Sequence, residues 1–365
     1  MKVFSFLLVA TTFYVRNSIA QQIEHTDTTI AKIVYPQQDL KLWYGNDAFR
    51  VDDFVILPNY TILHSRETST IRLLDNRNMF VLDNVKLLSI KTIQPHNVDD
   101  EKVAIGPIIP WFSIANDSTV LAGTASFKGR KNVSGYVELA IRGNKLFVKH
   151  EPFPIEKEVD SGDMSSFKTQ FINSYIDYKG NKLMASWMSL KPELKGKITP
   201  DHAVVYRKTD DLLSIIYETP EHLIAMTNPG KQHFNMIQLL SIDTKLLIYD
   251  PEREELLTAT NDLSNLTLID VAKALPVDMP TGRKFGKQFL FDRVANQLYY
   301  RVTTLVKDTR DQVYLKANLS NTSLTFEPIL RVTIADYYGY YVNNRRLFFY
   351  DKVRGYIYAT KQELP

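Results

Sequence analysis

The chain has 365 residues, a formal net charge of +3 from 44 basic and 41 acidic side chains, and no cysteine. So small a net charge gives no electrostatic basis for binding nucleic acid or an anionic membrane surface. The lack of cysteine excludes thiol catalysis, cysteine-ligated zinc and disulfide bonds. A chain this long can nevertheless bury enough apolar surface to fold without disulfides.

The N-terminus has the features of a secretory signal peptide. Lys2 supplies a positive charge, Val3–Val15 is mostly apolar, and small residues precede a cleavage position after Ala20. The apolar stretch is too short to cross a bilayer, and no later stretch is long enough. We therefore predict that residues 1–20 are removed and that the mature protein is secreted, extracellular and not inserted in a membrane.

Acceptor sequences of the form Asn-x-Ser/Thr support export, because N-glycans are added in the secretory pathway. Each should lie in an exposed loop if it carries a glycan. The predicted glycosylation sites are Asn59, Asn116, Asn132, Asn265, Asn318 and Asn321.

Helical periodicity is scarce along the chain. Short aromatic and β-branched runs, such as Phe54–Leu57 and Tyr136–Ile141, alternate with polar turns, which is typical of strands. Two segments are predicted as short helices. They are Ser166–Tyr178 and Leu266–Ala274, the second behind a cap at Ser264.

Four segments repeat one hydrophobic pattern, in which a short apolar run, a charged turn and a second apolar run follow each other. They are His202–Thr219, Lys245–Thr260, Gln288–Thr303 and Leu347–Thr360. The aromatic residues that end their first runs are spaced about 42 to 59 residues apart, a period typical of propeller blades.

These repeats predict an all-β fold, a β-propeller with six blades. No linker divides the chain, so we predict a single propeller domain over residues 41–365 behind an N-terminal extension at 21–40. A propeller has no chemistry of its own, since its function lies in its loops and its central channel.

Motifs for catalysis and metal binding are missing from the sequence. The seven histidines form no HExxH pair, and there is no GxSxG or glycine-rich phosphate loop. Acidic pairs such as Asp52-Asp53 and Asp210-Asp211 lack the patterned loop of a calcium site, which favours solvated turns. We therefore predict no catalytic residue, no metal ligand and no cofactor.

Four phrases follow one another along the chain. They are Asn78–Asp83, Ala203–Tyr206 with Ser214–Tyr217, Asn296–Arg301 through Val313–Leu315, and Leu347–Tyr350 followed by Tyr356–Ala359. In their order and spacing they resemble the yellow/major royal jelly protein family of arthropods. The first is similar to a family strand of the form RLWVLD, with Phe80 at the tryptophan position, and the last resembles the family's closing strand pair. The chain departs from the family in having no cysteine and in having Asp351 after the paired aromatics.

The resemblance implies a binding protein for a biogenic amine. Its salivary members bind such amines in the propeller channel, where aromatic faces attract a cation and polar oxygens orient it. Carried over to this sequence, the ligand-binding residues are Asn344, Arg346, Phe348 and Phe80. Arg346 is unfavourable there, because a nearby cation repels an amine.

Three functions stay open at this point. The first is a non-catalytic, secreted glycoprotein that binds a small amine or aromatic ligand as a monomer, with no nucleic-acid or membrane partner. The second is a melanin-pathway enzyme that converts dopachrome, which needs a positioned base. The third is a structural or nutritional secreted protein.

Overall fold

The computed structural model describes most of the propeller region and two short N-terminal segments. The described residues are 23–24, 32–33, 40–68, 70–86, 112–128, 131–151, 167–190, 198–209, 212–218, 222–225, 237–251, 253–259, 266–276, 279, 283–306, 309–334, 337–351 and 353–365. The predicted signal peptide and the acceptor Asn265 lie outside them.

The strands pair into six sheets, which we number as blades in chain order. The N-terminal strands are β1 (Ile23–Glu24), β2 (Lys32–Ile33) and β3 (Leu40–Tyr44). Blade 1 contains β4 (Asp53–Ile56), β5 (Tyr60–Ser65), β6 (Thr70–Asp75) and β7 (Val81–Lys86). Blade 2 contains β8 (Phe112–Asn116), β9 (Thr119–Lys128), β10 (Lys131–Arg142) and β11 (Lys145–Glu151). Blade 3 contains β12 (Phe167–Tyr178), β13 (Asn181–Leu190), β14 (Ile198–Thr209), β15 (Leu212–Glu218) and β16 (His222–Ala225).

The other three blades follow the same antiparallel order. Blade 4 contains β17 (Gln238–Ile242), β18 (Lys245–Asp250), β19 (Glu255–Ala259) and β20 (Thr267–Asp270), followed by helix α1 (Val271–Ala274). Blade 5 contains β21 (Arg283–Asp292), β22 (Gln297–Val306), β23 (Thr309–Leu319) and β24 (Leu324–Ile334), with β2 and β1 on the outer edge of β24. Blade 6 contains β25 (Tyr337–Asn343), β26 (Arg346–Asp351), β27 (Tyr356–Thr360) and β3.

The first strands of the blades form a closed ring. Each of β4, β8, β12, β17 and β21 contacts the first strand of the next blade, and β25 contacts β4 again. This cyclic order of small antiparallel sheets is that of a β-propeller, so the predicted fold class is confirmed. We call the end with the turns between first and second strands the turn end, and the opposite end the loop end.

Two distant parts of the chain close the ring. Strand β3 pairs antiparallel with β27 and becomes the outer strand of blade 6, with Leu40 opposite Thr360 and Tyr44 opposite Ile357. The Tyr350 hydroxyl reinforces the closure by donating to the backbone carbonyl of Val51, which lies between β3 and β4. The N-terminal and C-terminal ends of the propeller therefore share one sheet.

Most interior strands are buried on both faces, which explains their continuous apolar runs. On β18, Leu246 and Ile248 belong to the core shared with blade 3, whereas Leu247 and Tyr249 belong to the core shared with blade 5. Similar clusters lie between blades 1 and 2, 5 and 6, and 6 and 1. The described core therefore consists mainly of side chains packed between the facing sheets of neighbouring blades.

The four repeated sequence patterns occupy different positions within their blades. Lys245–Thr260 and Leu347–Thr360 cover second and third strands, Gln288–Thr303 covers a first and second strand, and His202–Thr219 covers a third and fourth. Any hairpin that is buried on both faces has the same sequence pattern, two apolar runs separated by a polar turn, whichever strands of the blade form it. The intervals between the patterns therefore do not measure the blade repeat.

One predicted helix is wrong and the other is partly right. Phe167–Tyr178 is strand β12, paired with β13 along its length. In the second segment, Thr267–Asp270 is a strand, and the helix is limited to Val271–Ala274. The Asp270 side chain caps this helix by accepting a hydrogen bond from the Lys273 amide, whereas the predicted cap Ser264 lies outside the described residues.

Four turns have a common construction. A strand ends on an aspartate whose carboxylate accepts one or two amide hydrogens from the following turn, and the fourth residue after it has a positive φ. The aspartate and positive-φ residue are Asp75 and Met79, Asp250 and Glu254, Asp292 and Asn296, and Asp351 and Gly355.

Asp292 differs from the other three because its carboxylate also bridges two blades. It accepts from Val294 and Ala295 in its own turn, and from the amides of Asn344 and Arg345 in the β25–β26 turn. The residue is fully buried. A carboxylate that accepts four amide hydrogens holds the innermost turns of blades 5 and 6 together.

We expect Asp292→Ala to lower the free energy of unfolding by about 3 to 5 kcal/mol, since it removes the acceptor of four buried or partly buried amides. Asp351→Ala is the matched control, because its carboxylate accepts only from the Val353 and Arg354 amides within its own turn among the bonds described. It should cost about 1 to 2 kcal/mol. Urea denaturation measures both, and equal losses would contradict the bridging role.

Gly355 should tolerate alanine less well than Gly143, although both have positive φ, at +71° and +53°. A Cβ on Gly355 would lie 2.7 Å from Arg50 Cγ and 2.9 Å from the Val51 carbonyl oxygen, while one on Gly143 meets nothing within 4 Å. Gly143→Ala should therefore cost about 1 kcal/mol from backbone strain alone. Gly355→Ala should cost at least about 1 kcal/mol more from steric overlap, and similar melting temperatures for the two variants would disprove this.

Candidate functional site

At the turn end, an ion pair between opposite blades crosses the central axis of the ring. Arg293, in the β21–β22 turn of blade 5, donates from Nη1 to Asp117 Oδ1 of blade 2 at 3.3 Å. The guanidinium also lies 5.7 Å from the centre of the Phe291 ring. Burial lowers the pKa of Arg293, and the attraction of Asp117 partly offsets this shift. Arginine stays charged at any physiological pH. Side chains thus span the channel axis at this end.

Contacts between successive innermost turns reinforce this closure. The Asn296 side-chain amide donates to the Asp243 carboxylate at 3.2 Å, which joins the turns of blades 5 and 4. The Tyr178 hydroxyl donates to the Thr244 carbonyl at 2.5 Å, which joins blades 3 and 4. With the Asp292 bridge, these bonds link the turns of blades 3 to 6 into one polar belt.

Side chains also join the innermost strands halfway along the channel. The Gln238 side-chain amide donates to the Phe289 carbonyl at 2.6 Å and accepts from its amide at 2.8 Å, so it pairs with β21 as a strand residue would. Ser174 Oγ accepts from the Leu239 amide at 2.9 Å. The ring is thereby fixed around the channel by hydrogen bonds as well as by apolar packing.

One wall of the channel is aromatic. Tyr341, on the first strand of blade 6, is half-buried and meets the Phe54 ring edge-on with the ring centres 5.2 Å apart. It also packs against the core between blades 1 and 2, so its side chain reaches past the first strand of blade 1. Phe112, on the first strand of blade 2, is half-buried too. Asp53 adds a half-buried carboxylate beside Phe54 and accepts the Phe54 amide at 2.8 Å.

The blade 5 wall is basic and amide-rich. A bulge between Phe285 and Gln288 changes the direction of β21, with Gly286 at a φ of +57°. Lys287 then pairs with Glu254 of blade 4 at 3.1 Å, and Gln288 accepts from Arg301 Nη2 at 2.8 Å. Both basic side chains therefore have a partner, Lys287 a carboxylate and Arg301 an amide oxygen.

The structure places three of the four predicted ligand residues on one hairpin. Asn344 is exposed in the β25–β26 turn at the turn end, and Arg346 Nη1 donates to the Thr360 carbonyl at 3.4 Å. Phe348 is 1% exposed and lies edge-on to Trp43 in the core between blades 6 and 1. Phe80 is 68% exposed in the outer β6–β7 hairpin of blade 1 and is not on the same hairpin. Their role in ligand binding stays a prediction.

Tyr341 was not singled out from the sequence, although it lies on the same hairpin as Asn344. The signal that could have pointed to it is the run of tyrosines at Tyr337–Tyr341. Tyr341 packs against two cores, the one between blades 1 and 2 and the one between blades 6 and 1, and its side chain is half-buried.

Neither a metal-binding cluster nor a membrane-spanning helix is found in the part of the chain that the structure describes. No group of three or more His, Cys, Asp or Glu side chains there could hold a metal ion. No helix among these residues is long and apolar enough to cross a membrane.

Comparison with known proteins finds solved structures of similar shape but assigns the chain to no family. No family model matches the chain, and no curated protein matches it. The solved structures it resembles include a putative exported protein from Bacteroides fragilis, with 10% identity, 92% of this chain and 97% of that chain covered, and a TM-score of 0.47. Another is virginiamycin B lyase from Staphylococcus aureus, with 10% identity, 88% and 98% covered, and a TM-score of 0.37. None of these likenesses assigns a ligand to this chain.

The Arg293–Asp117 ion pair should contribute little to stability, because Asp117 is 65% exposed. A double-mutant cycle with Arg293→Gln and Asp117→Asn should give a coupling energy of about 0.2 to 1 kcal/mol. The coupling should decrease between low and high salt, since screening weakens exposed pairs. Urea denaturation at two salt concentrations measures this coupling energy, since urea is uncharged. A coupling of zero at low salt would contradict the pairing.

Proposed function

We propose that the protein is a secreted, non-catalytic binding protein that holds a small amine or aromatic ligand in the propeller channel. The observation that carries this proposal is the pair of half-buried rings on first strands, Tyr341 and Phe112, with the half-buried Asp53 carboxylate on the first strand between them, in a channel that the Arg293–Asp117 ion pair crosses at the turn end. The resemblance to the yellow/major royal jelly family supports the same function and is part of the proposal.

The chemistry of the wall favours a protonated amine that carries a ring. Aromatic faces attract cations by about 0.5 to 2 kcal/mol per contact, and a half-buried carboxylate adds an ion pair. Because the Arg293–Asp117 ion pair crosses the turn end, the loop end is the proposed route of entry.

Tyr341→Ala should weaken binding of an aromatic amine at least tenfold, because it removes the ring face that contacts the ligand. Tyr341→Phe should keep most of the affinity, since it retains that face. Phe147→Ala is the matched control, because Phe147 is a half-exposed aromatic on the outer strand of blade 2, away from the channel. Calorimetric titration with serotonin, dopamine, histamine and octopamine measures all three variants.

Two results would disprove the proposal. One is the absence of heat from every amine with the unmodified protein at micromolar concentration. The other is an equal loss of affinity in Tyr341→Ala and Phe147→Ala. Thermal melting of each variant separates a lost contact from a lost fold.

A further inference from the structure

The glycosylation acceptors are unevenly distributed between the two ends of the ring. Asn59 is exposed in the β4–β5 turn, and Asn116 is the last residue of β8. Asn318 and Asn321 are exposed at the end of β23 and in the β23–β24 turn. In an antiparallel four-stranded blade, the first and third turns lie at the same end. All four acceptors are therefore at the turn end.

Asn132 is the exception among the acceptors that the structure describes. It lies in β10, opposite Phe127 of β9, just after the β9–β10 turn at the loop end. Its position is within a paired strand rather than in a turn.

We propose that N-glycans occupy the turn end of the propeller, so that the loop end is the bare face through which ligand enters. This inference rests on the proposed secretion and channel binding. A glycan is bulky and hydrophilic, so it obstructs any face that a ligand must approach. At the turn end a glycan does not obstruct entry, because the Arg293–Asp117 ion pair already crosses the axis there.

The acceptors also lie on opposite sides of the ring. Asn59 and Asn116 are on the innermost turns of adjacent blades 1 and 2, whereas Asn318 and Asn321 are on the outer hairpin of blade 5. Blade 5 faces blade 2 across the axis, as the Arg293–Asp117 contact shows. Glycans on both sides cover the turn end from opposite directions.

Strand β5 provides a matched pair of positions for a test. Asn59 precedes the strand at the turn end, and Arg66 follows it at the loop end, about 20 Å away for a six-residue strand. Arg66 is exposed, and its backbone amide, which is independent of the side chain, donates to Asp52. Because Glu67 and Thr68 follow, Arg66→Asn alone creates an acceptor sequence at the opposite end of the same strand.

The first experiment maps occupied sites on the full chain secreted from animal cells. Enzymatic deglycosylation in heavy-oxygen water labels each occupied asparagine, and peptide mass spectrometry locates the label. We expect label at Asn59 and at Asn318 or Asn321, and none at Asn132. Label at Asn132, or no label at any of the four turn-end acceptors, would overturn the inference.

The second experiment measures entry. Glycosylated Arg66→Asn should bind an aromatic amine with an association rate at least fivefold lower than the unmodified protein, and enzymatic glycan removal should restore it. Asn59→Gln should leave the rate within twofold. An unchanged rate in glycosylated Arg66→Asn would overturn the bare-face inference. If no amine binds the unmodified protein, the proposed function fails while the site map still decides where the glycans lie.

Discussion

The structure depends on the pairing of β3 with β27, because this pairing converts a row of sheets into a ring. The blade interfaces that the structure describes bury apolar side chains from two sheets, and an open row would leave the facing surfaces of blades 1 and 6 in water. Leu40 and Thr360 meet across most of the chain length, and closing so long a loop costs entropy that grows only slowly with length. The core between blades 6 and 1 offsets that cost, with Phe54, Phe348 and Tyr350 at its centre.

Much of the fold class could be predicted from the sequence, while strand position within a blade could not. A strand buried on both faces reads as a continuous apolar run wherever it lies in the sheet. For this reason Tyr249 and Phe291 end similar runs, yet one is on a second strand and the other on a first. The fold class depends only on many short paired strands, and it survives the ambiguity.

Strand β12 shows how a local irregularity misleads a periodicity argument. Its pairing with β13 shifts register between Thr169 and Phe171 and again between Ile172 and Ser174. Each shift interrupts the two-residue alternation of a regular strand, and the four-residue spacing of Phe167, Phe171 and Tyr175 fits one face of a helix as well as one face of a strand. Bulges also explain why Tyr341 escaped notice, since the shift between Gly339 and Tyr341 sets which way its side chain faces. The Arg293–Asp117 contact joins residues 176 positions apart, a separation at which sequence spacing carries no information.

The two ends of the ring differ in how they are built, and that difference bears on function. At the turn end, Asp292, Asn296 and Arg293 connect innermost turns through side-chain bonds to other blades. At the loop end, the described connections include the Arg72 guanidinium, which donates to the Tyr44 hydroxyl and lies 3.8 Å from the centre of the Phe49 ring. That contact anchors the segment between β3 and β4 to blade 1, next to Asp53 and the aromatic wall. Binding residues work best on segments that vary in sequence while a rigid scaffold positions them. Here the cross-linked turn end provides the rigidity, and the segment that closes the ring leads directly into β4, which begins with Asp53, the carboxylate of the proposed site.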